Sequence, residues 1–297
     1  MLRIIADSTC DISKEDARKM GIQIVPISVR FRDEEFLDGV EITHEEFYTR
    51  LAECDELPKT SQPSPDTFMK VFNEAVADGD DVLGIFISSD LSGTYQSACL
   101  AASDVEDETG KKLYMVDSRS ASIGTALLIR EAVKLRDAGV NVSDIAAACT
   151  EMSKYIKLTA VVGSLKYLKM GGRLSGAAAF AGTMLHITPV VSIEDGKVVV
   201  IGKTRGKKAA EKLMHDKLTE DGLSLTRDFM FGHINCSESL ETFINKSLTY
   251  ISDVNGNVGV SSIGCSVGTH VGPGTYGIAY VEAAESGMNR ASVVKTA

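Results

Sequence analysis

A chain of 297 residues with 44% hydrophobic and 24% charged content has the composition of a folded protein with core enough for two ordinary domains, which disfavours the disordered and membrane classes. Its 31 basic and 41 acidic residues give a net charge of −10, opposing non-specific attraction to polyanions, so no nucleic-acid partner is expected. No apolar run approaches the roughly 20 residues of a transmembrane segment, and the opening MLRIIADSTC reads as a strand rather than a secretory signal, which points to a cytoplasmic protein.

In chain order, RIIA reads as a strand that runs into DSTCDIS and then the helical KEDARKMG. Residues 22–80 form an insertion. Within it, IVPISVRF reads as a strand, THEEFYTRLAE as a helix capped by Thr43 with Glu46 three residues on, and LPKTSQPSP as a proline-punctuated loop before another helix. DVLGIFI then stops at SSDLSGT before the helical YQSACLAASDV, and KLYMV stops at DSRSASIG before TALLIREAVKLRDAG. In the last segment Leu127, Leu128, Ala132 and Leu135 mark one helical face. Such alternation predicts a parallel sheet covered by helices. Ligands of such sheets bind beyond the carboxyl ends of the strands, where Asp7, Ser8, Ser88, Ser89, Asp117 and Ser118 collect.

Near residue 155 the rhythm changes. TPVVSIEDGKVVVIGKTRG places two β-rich runs around EDG, a hairpin signature. A basic helix from Lys207, the strand DFMFGHI, the helix SESLETFINKSLTYI and the closing strands VGVSSIG and YGIAYV follow. The expected fold class is therefore α/β. An N-terminal parallel-sheet domain over residues 1–153 stands beside a C-terminal α+β domain over 154–297, with the linker around Cys149 to Lys157.

Two nucleotide motifs are only approximated. The GKT at Gly202 to Thr204 lies in a strand-like run with Gly196 at the wrong spacing for a P-loop, and GPGTYG from Gly272 leads into a strand where a dinucleotide fingerprint needs a helix. The six cysteines are widely spaced, with no C-x-x-C pair and no cysteine and histidine cluster at zinc-ligand spacing. Reduced, mostly buried thiols are expected, with no metal and no cofactor. Among the histidines, His44 and His215 are expected on polar helix faces, His186 before a strand and His233 at the end of one, whereas His270 sits in the glycine-rich GTHVGPG. Ser92, His270 and Asp117 could be drawn as a hydrolytic triad. Hydroxyls of Thr60, Ser61 and Ser92, the Gly93 amide at a helix start and the His270 imidazole equally suit a carboxylate, since the set offers donors without a strong point charge.

The stretches DSTCDI, TSQPSP, SSDLSGTYQSA, VDSRSASIG, LKYLKMGGRLSG and GTHVGPG, in that order, resemble the DegV family over essentially the whole chain. These are fatty-acid-binding proteins that include the lipid-carrying subunit of bacterial fatty acid kinase. The resemblance implies a long-chain fatty acid in an apolar tunnel between the two domains, its carboxylate held by Thr60, Ser61, Ser92 and His270. It implies further that the chain is not itself an enzyme but presents the carboxylate to the fatty acid kinase catalytic subunit for acyl-phosphate formation, with Arg173 and Arg205 as docking residues. Thr188 departs from the pattern, standing before Pro189 where many relatives carry lysine. The competing readings are a serine acyl hydrolase or acyltransferase using Ser92 and His270, and a binding module for another small carboxylate.

Overall fold

The computed structural model describes residues 1–176, 187–222, 224, 227–250 and 256–283; His186 lies outside them. Strands β1 (Leu2–Asp7), β2 (Ile22–Val25), β6 (Asp81–Phe86) and β7 (Tyr114–Asp117) form one sheet in the order β2-β1-β6-β7, every pairing parallel. Both faces are covered, so successive side chains of one strand enter different cores. Ile4, Ala6, Leu83 and Ile85 pack towards helices α5 (Ile123–Asp137) and α6 (Val142–Met152). Ile5, Val82 and Phe86 pack towards α3 (Pro65–Ala77) and α4 (Thr94–Thr109).

The insertion builds a small antiparallel sheet from β3 (Ser28–Phe31), β4 (Glu34–Leu37) and β5 (Lys59–Ser61) in the order β4-β3-β5. IVPISVRF, expected as one strand, is two strands in different sheets. Pro26 has no amide hydrogen to give to a ladder, and the chain leaves the parallel sheet at Val25 and joins the small one at Ser28. The expected TSQPSP loop contributes β5, in which Thr60 pairs with Val29. Helix α2 (His44–Glu53) begins as its capping box requires, the Glu46 amide donating to Thr43 Oγ1 at 3.2 Å.

After helix α1 (Lys14–Met20) and the units above, the second half supplies β8 (Ile156–Val161), α7 (Leu165–Met170), β9 (Thr188–Glu194), β10 (Lys197–Thr204), α8 (Lys207–Asp221), β11 (Phe229–His233), α9 (Ser237–Tyr250), β12 (Val258–Ser262), α10 (Cys265–Val271) and β13 (Tyr276–Val281). Its sheet is mixed, in the order β10-β9-β8-β13-β11-β12, with β11 and β12 parallel and the other pairs antiparallel. The EDG hairpin forms as expected. Asp195 and Gly196 both take positive φ, 47° and 82°, the backbone of a two-residue turn that matches strand twist. Its tip docks on the first sheet, Ser88 Oγ donating to the Gly196 carbonyl at 2.8 Å.

Helix α5 packs against β1 and β6 of one sheet and β8, β11 and β13 of the other. Every residue from Ile123 to Ile129 is consequently buried, where the apolar spacing marked only one face. A helix enclosed by two sheets has no polar side to keep. His215 also departs from its expected polar face. It is buried on α8, stacked on Phe243 of α9 with ring centroids 5.1 Å apart, and its Nε2 lies 2.9 Å from Ser247 Oγ. Among the described residues no helix is long and apolar enough to cross a membrane. Cys10, Cys149 and Cys265 are buried, and Cys54, Cys99 and Cys236 are half-buried, all as free thiols.

Candidate functional site

A cavity of about 1070 Å3, its opening included, lies between the strand-end loops of the parallel sheet and the inner face of the mixed sheet. Ile87 and Ile123 bound it on one side, Leu158, Ala160, Val191 and Ile193 on the other. The alternation of β8 is what lines it: Leu158, Ala160 and Val162 face the void, while Val161 turns into the separate core under α8 and α9. A concave space with mostly apolar walls and a few convergent polar groups is characteristic of a small-molecule site.

Thr60, Gln62, Ser92, Arg173 and His270 make one polar group of the lining, to which Thr9, Ser122, Ser266 and Thr275 add hydroxyls. His270 Nε2 lies 3.0 Å from Thr60 Oγ1. Its Nδ1 is buried without a partner among the described residues, pressed against Gly171, where a Cβ would come within 2.2 Å. A buried lone pair without a donor is tolerated better than a buried N–H without an acceptor, so we assign the ring proton to Nε2. It then donates to Thr60 Oγ1, and the Thr60 hydroxyl is left to donate to whatever occupies the cavity. Burial, and secondarily the charge of Arg173, lowers the His270 pKa to about 4. The ring is therefore neutral near pH 7 and acts as an oriented dipole rather than a cation.

Ser92 Oγ lies 2.9 Å from Thr94 Oγ1 and accepts from the Thr94 amide at 3.3 Å. Gly93 stands at the start of α4 without a side-chain cap, and a Cβ there would meet Gln62 Oε1 at 2.1 Å, so the glycine makes room for that amide. Gln62 is a cavity residue that the sequence reading passed over. It follows the end of β5 directly and, though exposed, lines the cavity with Thr60. Ser61, expected beside Thr60, is exposed and is not among the cavity-lining residues.

The arginines differ in placement. Arg173, expected as a docking residue, lines the cavity, half-buried, with Nε donating to the Leu91 carbonyl at 3.1 Å and Nη1 to the Gly171 carbonyl at 2.7 Å. Arg205 is exposed in the bend between β10 and α8. Thr188 opens β9, half-buried, its carbonyl accepting from Thr204 Oγ1 at 2.9 Å. The strand-end polar residues mostly serve the fold. Asp7 accepts from the amides of Thr9 and Ile87, each at 2.9 Å, and Ser118 is buried against the Ser120 carbonyl. The drawn triad does not come together: Asp117 accepts from Ser89 Oγ at 2.6 Å and from the Arg119 amide at 2.8 Å, while His270 faces Thr60 and Ser92 faces Thr94.

The family model of the DegV proteins, an uncharacterised group, matches residues 1–283. The chain belongs to the DegV family. A DegV domain-containing protein of Clostridium perfringens is 34% identical over 290 residues, covering 95% of this chain and 98% of its own. A DegV family protein from Thermus thermophilus, whose structure concerns fatty acid binding, superposes with a TM-score of 0.85 at 29% identity over 95% of this chain and 99% of that one. A stearic acid-binding protein from Eubacterium ventriosum superposes with a TM-score of 0.84 at 28% identity over 95% of this chain and 98% of that one.

Proposed function

We propose that this DegV protein carries a long-chain fatty acid, acyl chain in the apolar cavity and carboxylate in the corner of Thr60, Ser92 and His270, and presents that carboxylate to a separate kinase subunit for acyl-phosphate formation. One observation carries the reading: an apolar void closed at one corner by uncharged donors and a single guanidinium. Burying some 14 methylenes at about 0.8 kcal/mol each supplies roughly 11 kcal/mol of gross driving force, enough to leave tight binding after the cost of association. The corner needs only to orient the head group. The hydroxyls of Thr60 and Ser92 donate to the carboxylate, the neutral His270 fixes the direction of the Thr60 hydroxyl, and Arg173 offsets the anionic charge.

Ser92→Ala is the first test. As a ligand, Ser92 gives up one hydrogen bond to a charged group, so fatty acid affinity falls by about 1.5–3 kcal/mol, about 10- to 150-fold, with the fold intact. Wild-type protein treated with a serine-directed fluorophosphonate stays unlabelled at Ser92. Covalent labelling there, or ester turnover lost in Ser92→Ala, would convert the protein into a hydrolase.

The two arginines divide the second half of the proposal. Arg205→Ala, at an exposed bend, leaves lipid content unchanged and lowers acyl-phosphate formation in a reconstituted mixture with the kinase. Arg173→Ala lowers both, because its side chain lines the cavity. Unchanged phosphorylation in both variants removes the docking role.

A further inference from the structure

Asp38, on the bend after β4, His44, the first residue of α2, and Cys265, the first residue of α10, bring a carboxylate, an imidazole and a thiol together with their donor atoms all within 4.8 Å of one another. Asp38 and Cys265 are buried, 4% and 0% exposed, and His44 is half-buried. The donors converge on the face of Gly264. A Cβ on that residue would stand 3.1 Å from His44 Nε2 and 3.5 Å from Asp38 Oδ1, with Asp11 Oδ1 at 3.0 Å. A larger residue at 264 would fill the place where they meet.

Two of the donors are also held from behind. His44 Nδ1 lies 3.4 Å from Ser262 Oγ, which leaves Nε2 as the nitrogen turned to the cluster. Asp38 Oδ1 accepts from the Cys265 amide, and Oδ2 from the Ser266 amide, both at 3.1 Å, with Ser8 Oγ donating to Oδ2 at 3.2 Å. Metal-ligating imidazoles and carboxylates are oriented in this way by outer hydrogen bonds. Asp11 and Asp38 are both buried, and among the described residues their hydrogen-bond partners are amide and hydroxyl groups with no lysine or arginine.

We propose that Asp38, His44 and Cys265 form a binding site for a divalent transition ion of the zinc type, with these three protein ligands. Mixed sulfur, nitrogen and oxygen donors suit zinc, whose bond lengths of about 2.0–2.3 Å place tetrahedral ligands about 3.3–3.6 Å apart. The donor atoms of the trio, all within 4.8 Å of one another, must close to that spacing on binding. On binding, the metal–sulfur bond forms as the thiol S–H breaks, the proton passes to solvent and no electron is transferred. The ion ties the first turn of α10 to the start of α2, and α10 carries His270 of the cavity corner one helix length away.

The test uses the full chain, freed of metal with a chelator and titrated with Co2+ alone. The expected result is a thiolate-to-cobalt charge-transfer band that saturates at one equivalent and bleaches on adding Zn2+, together with a rise in Tm at saturating Zn2+. The band disappears in Cys265→Ser. In His44→Ala, a half-exposed position whose metal-free Tm stays at the wild-type value, cobalt affinity drops by about tenfold or more. Absence of the band in wild type overturns the proposal, and so does a band that survives in Cys265→Ser or an unchanged affinity in His44→Ala.

Discussion

Ala160→Phe empties the protein of lipid. Wild-type protein, extracted with organic solvent after purification, releases a long-chain fatty acid in near-stoichiometric amount by mass spectrometry, whereas the variant releases almost none and takes up none when fatty acid is added. The reason is geometric. Ala160 is 7% exposed, points into the cavity from β8 between Leu158 and Val162, and has Gly277 of β13 as its cross-strand neighbour. A phenyl ring there has open space on the ligand's path, so little of the roughly 1–3 kcal/mol that overpacking costs in a filled core applies. Tm therefore stays within a few degrees of wild type while the acyl chain loses its room. A variant with full lipid content would put the ligand elsewhere. Wild-type protein that yields no lipid and takes up none would sink the carrier reading itself.

Leu128→Ala produces the largest loss of stability, about 2–5 kcal/mol, the range for deleting a buried leucine side chain whose neighbours close in only partly. Leu128 is fully buried on α5, the helix that touches both sheets. One hydrophobic cluster runs from Ile4 and Leu83 through α5 to Leu158, Val191 and Val281, so the cavity left by the truncation weakens both halves at once. In urea the midpoint falls with the slope unchanged, and far-UV dichroism and lipid release follow a single shared transition. Two separate transitions, or a loss under about 1 kcal/mol, would show that α5 does not bind the sheets together.

What the residues specify locally reads directly from their order. Asp195-Gly196 makes the β9–β10 turn because the aspartate accepts and the glycine prefers positive φ. Thr43 starts α2 because its hydroxyl replaces a missing backbone acceptor. GPGTYG turns and leads into β13, with Gly272 and Gly274 at φ of 75° and 78°, rather than opening a nucleotide-binding helix. The apolar runs of β1, β6 and β7, each followed by a helical pattern, announce the parallel sheet because both of its faces need burial.

Other features depend on which element comes to lie against which, and no local pattern contains that. The spacing in α5 shows one apolar face, but the second sheet arrives from distant sequence and buries its first half, Ile123 to Ile129, all round. The polar look of α8 hides His215, which α9 covers with Phe243 and Ser247. Thr60 and Ser61 are chemically alike and adjacent; the pairing of β5 with β3 turns one to the cavity and the other to solvent. Arg173 looks like a surface cation until the Leu91 and Gly171 carbonyls draw it into the cavity wall. Cys265 lies too far along the chain from Asp38 and His44 for any spacing rule to join the three. By itself the sequence determined turns, caps and most strand and helix identities, since these rest on dihedral preference and on periods of a few residues, while family membership rests on the resemblance of its ordered motifs. Only the tertiary structure decided the cavity, the placing of Gln62 and Arg173 in its wall and the cluster at Gly264, because burial and hydrogen-bond partners between remote segments exist only once the sheets close on α5.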